Sequence, residues 1–121
     1  MDRWTFGLLL VAVVVAGALG SAQPRSVQIG AGATNCGRWL QLRQDRDEVL
    51  VGMVQSWLQG YLQGFERAAQ VVTAREGRPP CRYGRPEHEQ LSAWLDRYCG
   101  DHPLRDVDDG AGRLALELLR P

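Results

Sequence analysis

No lysine occurs among the 121 residues; all fourteen basic side chains are arginine, and fourteen acids balance them to a formal net charge of zero. The missing lysine reflects coding composition and carries no functional meaning. The charge balance offers no electrostatic footprint for a nucleic acid or an anionic membrane, so neither is expected as a partner. Nothing alternates with the period of a strand, and no two-residue hairpin signal breaks the chain. The longest uncharged apolar run, Phe6 to Leu19, is about 14 residues, short of the roughly 20 that a membrane-spanning helix needs.

Catalytic motifs are missing too. No G-x-S-x-G, H-E-x-x-H or P-loop is present, and the two histidines, His88 and His102, stand outside any nucleophile motif. With neither a C-x-x-C pair nor a His/Cys cluster, a structural zinc site lacks ligands. Asp106, Asp108 and Glu117 fall on positions 1, 3 and 12 of a calcium loop. The fifth position would be Gly110, without a side-chain oxygen, and the sixth-position glycine would be Ala111. Acids in a first helical turn suit the helix dipole instead. No catalytic residue, cofactor or metal site is expected, and the chain reads as non-enzymatic.

What is present begins with a leader. Arg3, the run from Phe6 to Leu19, and the small residues Gly20, Ser21 and Ala22 have the layout of a secretory signal peptide cut after Ala22, with a cut after Gly20 as the alternative. Residues 1–22 are read as that signal and 23–33, glycine-rich and polar, as a flexible leader. Residues 34–121 form one small domain. Once the signal is cut, no stable membrane anchor is expected. An exported chain enters an oxidising compartment where disulfides persist. Cys36, Cys81 and Cys99 then permit three pairings, with one cysteine left over.

Helical periodicity runs through the domain. Thr34 or Asn35 can cap a short helix carrying Cys36, Trp39 and Leu40, with a break expected in the charged stretch Arg43 to Glu48. From Asp47 to about Thr73, Leu50, Val54, Trp57, Tyr61, Phe65, Ala68 and Val72 recur at helical steps. Gln55, Gln59 and Gln63 occupy the other side and make burial in lipid costly. Gly60 and Gly64 fall on the shoulder beside Trp57 and Phe65, where they are expected to admit a neighbouring helix. The helix bearing Trp94 and Tyr98 is the expected neighbour, and a bulky side chain at Gly60 would overpack.

Thr73 to Pro86, with three prolines and two glycines, cannot continue the helix. Pro86 can open a third helix carrying Leu91, Trp94, Leu95, Tyr98 and Cys99 and stopping near Gly100. Pro103 can open a fourth, with Leu104, Val107, Ala111, Leu114, Ala115 and Leu118 on its apolar face. The expected fold is all-α: a small single-domain bundle of three to four helices stapled by one disulfide, with Trp39, Trp57 and Trp94 in its core.

Three stretches carry a family resemblance: Asn35-Cys36-Gly37-Arg38-Trp39-Leu40, Trp57-Leu58-Gln59-Gly60-Tyr61-Leu62-Gln63-Gly64, and Trp94-Leu95-Asp96-Arg97-Tyr98-Cys99 followed by His102-Pro103-Leu104. Together they resemble the Rap/Tai-type immunity proteins associated with type VI secretion, and the related HdeA-like small periplasmic helical proteins. The resemblance spans about Thr34 to Leu119. It implies a periplasmic helical domain, a Cys36–Cys99 bridge, and a packing face marked by Gly60, Tyr61 and Gly64. Cys81 departs from the two-cysteine pattern. Some relatives pair a cysteine near there with one before the Gly-Tyr step, where this chain has Leu58 and Gln59. A free thiol and a homodimer bridged through Cys81 both stay open.

Two functions follow from the resemblance. The first is immunity, in which the chain binds and neutralises a cognate secreted toxin, with the charges from Arg75 to Glu89 as the guessed contact surface. The second is an HdeA-like acid-stress chaperone that binds unfolded clients. Both are protein-binding roles.

Overall fold

In the computed structural model of the protein, residues 30–119 are described, except Tyr83. The signal segment 1–22 and residues 23–29 of the leader lie outside them. The described residues hold four helices and no strand: α1 Cys36–Asp45, α2 Glu48–Arg75, α3 His88–Asp101 and α4 Val107–Leu118. None of these helices is long and apolar enough to cross a membrane. A 3-10 turn, Ala31–Ala33, precedes them.

Local chemistry sets each boundary. Asn35 caps α1 by accepting from the Arg38 amide at 2.8 Å, satisfying one of the helix's orphan N–H groups. The helix ends where Arg46 turns left-handed (φ 55°), and the Asp47 amide closes back on the Leu42 carbonyl at 3.1 Å. Asp47 at once caps α2, accepting from the Leu50 amide at 3.0 Å. The expected break between Arg43 and Glu48 is therefore two residues wide. At 28 residues, α2 is about 42 Å long. Glu87 and Gln90 close a capping box at the start of α3, and Asp106 and Asp109 do so for α4.

The segments that lead into α1 and α4 are tied together. The Cys36 amide donates to the Arg105 carbonyl at 2.9 Å and the Val107 amide to the Thr34 carbonyl at 2.8 Å. This antiparallel bridge sets the start of α1 beside the start of α4. The Cys36–Cys99 disulfide adds a covalent tie between α1 and the end of α3. Around it Trp39, Leu42, Val51, Val54, Leu95 and Val107 form one buried cluster. Leu58, Leu62, Leu91, Ala111, Leu114 and Ala115 form a second. Trp57 and Trp94, partly buried, pack against both.

Several expectations are corrected. The buried face of α2 is Val51, Val54, Leu58 and Leu62, turned roughly 65° about the axis from the expected one. Leu50 and Val72 are exposed, while Trp57, Tyr61 and Phe65 line one flank. That rotation carries Gly60 and Gly64 to the solvent side, where a Cβ would meet nothing within 4 Å. They admit no neighbouring helix. The close approaches are at Gly32, where a Cβ would fall inside the Trp57 ring, and at Gly110, where it would lie 2.9 Å from Tyr98 Cδ1.

The end of the presumed flexible leader is thus structured, because glycine at position 32 lets the indole of Trp57 lie on the turn. Pro86 precedes α3 rather than opening it, since Glu87 supplies the cap. Pro103 and Leu104 sit in the turn before α4, and Leu104, 97% exposed, is not on its apolar face. α3 ends one residue past Gly100, at Asp101.

Candidate functional site

Along α3 and α4 an open groove of about 610 Å³ is lined by Trp94, Arg97, Tyr98, Asp101, His102, Arg105, Asp109, Arg113, Leu116 and Glu117. Its floor is a ladder of three rings. Trp94 and Tyr98 stack at 5.4 Å between centroids, and Tyr98 and His102 at 4.5 Å. The spacing of four residues along α3 produces this, since positions i, i+4 and i+8 lie nearly above one another on a helix.

Each ring is held in place. The Trp94 indole donates to Glu117 at 3.1 Å. The Tyr98 ring lies against Gly110, whose missing side chain makes the room. His102 Nδ1 is 2.9 Å from the Tyr98 carbonyl oxygen. A carbonyl only accepts, so Nδ1 carries the proton and donates, leaving Nε2 directed elsewhere. Burial pushes the Tyr98 phenol above its ordinary pKa, with Asp109's charge adding to the effect and Arg105 and Arg113 opposing it. Arg105 pairs with Asp109 at 3.8 Å and Arg113 with Glu117 at 3.6 Å. Leu116 is exposed beside them.

A second groove, about 570 Å³, lies between the C-terminal half of α2 and the connection from residue 76 to 87. Gln63, Glu66, Arg67, Gln70, Arg82 and Arg85 line it. The Gln70 amide donates to Glu66 Oε1 and to the Cys81 carbonyl, both at 3.3 Å, which fastens the connection to the helix. A narrower cleft of about 210 Å³, also lined by Gln63, Glu66 and Arg85, has Leu62, Pro86 and Leu91 in its walls.

No protein family, curated protein or solved structure matches this chain. Among the described residues, no hydrogen bond joins His88 or His102 to Cys81 or to any hydroxyl. The Ser92 hydroxyl is buried and accepts from Gln55 at 2.8 Å. The Cys81 thiol is half-buried and outside the disulfide. Asp106, Asp108 and Asp109 have carboxylate oxygens within 4.8 Å of one another, but Asp106 and Asp109 serve as the α4 capping box. Glu117 bonds Trp94 and faces Arg113 instead of completing a calcium loop.

Of the residues picked out for helix packing, Trp94 and Tyr98 stand together in the α3–α4 groove. Trp57, Tyr61 and Phe65 form a second ring series on α2, at 5.3 and 6.4 Å. Gly60 and Gly64 join neither. His102 completes the ladder four residues after Tyr98, a step visible in the sequence.

Proposed function

We propose that this chain is an exported, non-enzymatic immunity protein that binds and neutralises a cognate secreted toxin in the periplasm. The observation that carries the reading is the held ladder Trp94–Tyr98–His102, open to solvent and flanked by Arg97, Arg105 and Arg113. Tryptophan, tyrosine and arginine are the side chains that dominate binding energy at protein interfaces. Rings fixed before contact lose little conformational entropy on binding. The Cys36–Cys99 disulfide suits an oxidising compartment, and the resemblance to Rap/Tai-type proteins supplies the kind of partner. The test is protection: cells challenged in the periplasm with the secreted toxin encoded beside this gene should survive when the full chain is expressed. Leu116→Glu with Tyr98→Ala should abolish protection while the helical spectrum is retained. Unchanged killing by every such toxin removes the reading.

A second reading, as an HdeA-like acid chaperone, draws on Val49 and Met53, apolar and exposed on the first turns of α2. It requires suppression of client aggregation near pH 2, and a client that aggregates equally with and without the protein ends it.

A further inference from the structure

Arginine pairing is uneven over this surface. Arg43, Arg78, Arg105 and Arg113 each face a carboxylate. Arg67, Arg82 and Arg85 have no ion pair or hydrogen bond among the described residues, yet all three line the groove between α2 and the 76–87 connection. The one carboxylate there, Glu66, already accepts from Gln70. In a chain of zero net charge, this is a local excess of two positive charges in a concave site. Concavity keeps water and salt from screening the field as fully as on an open face. The planar guanidinium fork matches carboxylates in two-point contacts.

We propose that this groove receives an acidic peptide segment of a protein partner. Arg67, Arg82 and Arg85 take its carboxylates, and the Gln63 amide and the Gln70 side-chain oxygen can bond its backbone. The adjoining cleft, with Leu62, Pro86 and Leu91 in its walls, takes one apolar side chain. That apolar extension favours a peptide over a bare inorganic anion or a lipid headgroup, neither of which has a side chain to place there. The inference rests on the chain being a protein-binding module. It concerns a different surface from the aromatic ladder and needs no cognate toxin for its test.

The experiment is a calorimetric and NMR titration of the full chain with a capped Glu-Glu-Leu-Glu-Glu peptide. Saturable binding is expected, weakening as salt is raised because exposed charge pairs are screened. Arg82→Ala with Arg85→Ala should weaken it about tenfold or more, the loss of two charge-assisted contacts. Both side chains are exposed and make no ion pair or hydrogen bond among the described residues, so the fold should survive. Arg38→Ala, exposed on α1 away from the groove, should leave affinity unchanged. Replacing the peptide's leucine by serine should also weaken binding. No saturable binding, an equal loss with Arg38→Ala, or full displacement by inorganic phosphate or phosphatidylglycerol vesicles at the peptide's own concentration would each overturn the proposal. Absence of peptide binding by the unaltered protein with protection intact removes this groove alone; saturable peptide binding without protection removes the immunity reading alone.

Discussion

The indole nitrogen of Trp39 donates to Asp96 Oδ1 at 2.8 Å. Trp39 is completely buried, so this carboxylate is what allows the largest side chain of the core to bring its polar atom inside. Arg43 grips the same carboxylate at 3.1 to 3.2 Å and reaches Glu89 at 2.8 Å, while its guanidinium lies 5.7 Å from the Trp39 ring centroid. Its hydrogen bonds to Glu89 and Asp96 raise the Arg43 pKa further, against the effect of burial. α1 is thereby locked to α3 one to two helical turns along from the disulfide.

Asp96→Ala should destabilise the protein by about 2–3 kcal/mol, most of it from the indole N–H left buried without an acceptor. The half-exposed Arg43 pair contributes little by comparison. Asp96→Asn keeps an acceptor and should cost clearly less. Urea unfolding followed by tryptophan fluorescence measures both, and equal losses in the two variants would show that charge, rather than the indole bond, dominates.

The Cys36–Cys99 bond spans 63 positions. Closing a loop of that size removes unfolded-state entropy worth about 4 kcal/mol in the chain-entropy model. For a domain of this size, that is a large fraction of an ordinary folding free energy of about 5–15 kcal/mol. Thermal melts with and without reductant should differ by well over ten degrees, and Cys36→Ser with Cys99→Ser should reproduce the reduced melt. A thiol assay on the native protein should count one reactive group, Cys81.

Glycine substitutions separate the two kinds of glycine in the chain. Gly60→Ala and Gly64→Ala should each stabilise by about 0.5–1 kcal/mol, since both sit in the interior of α2 facing solvent and alanine is the better helix former. Gly32→Ala and Gly110→Ala should each destabilise by about 1–3 kcal/mol, because the new methyl displaces Trp57 in one case and Tyr98 in the other. Melting temperatures decide the sign at every site. A loss at Gly60 would reveal a contact on the outer face of α2.

The helices are legible in their apolar periodicity, and Asn35 is one of two candidate caps for α1. The caps Glu87 and Asp106 are not, because Pro86 and Pro103, which suit a first helical turn, stand just before them. Three cysteines permit three pairings in the sequence, and the structure selects Cys36–Cys99. The register of α2 was misread for a physical reason. Aromatic side chains are long enough to reach the core from a helix flank, so Trp57, Tyr61 and Phe65 drew the apolar face toward themselves. The shorter Leu58 and Leu62 mark its true centre. Gln55 was counted as outward, although its amide bonds buried Ser92. Gly32 could not be identified in advance, because the ring it accommodates lies 25 positions away in the chain.

Asp108 gives a prediction in which two effects oppose each other. It lies in the first turn of α4, where the helix dipole favours a negative charge by about 0.3–1 kcal/mol. Partial burial, and then the charges of Asp109 and Asp106, push its pKa above the ordinary carboxylate value, and backbone hydrogen bonds only partly offset them. A carboxyl with a raised folded-state pKa binds its proton more tightly in the native protein than in the unfolded chain. Its contribution to stability is therefore fully present below the unfolded pKa, near 4, and is lost as pH rises through the folded value. Asp108→Asn removes that titration, so the variant should melt higher than the parent at pH 7, and the difference should vanish by about pH 3. Melts between these limits trace the crossover. A variant that melts lower at pH 7 would mean that the dipole and the backbone hydrogen bonds outweigh burial at this helix start.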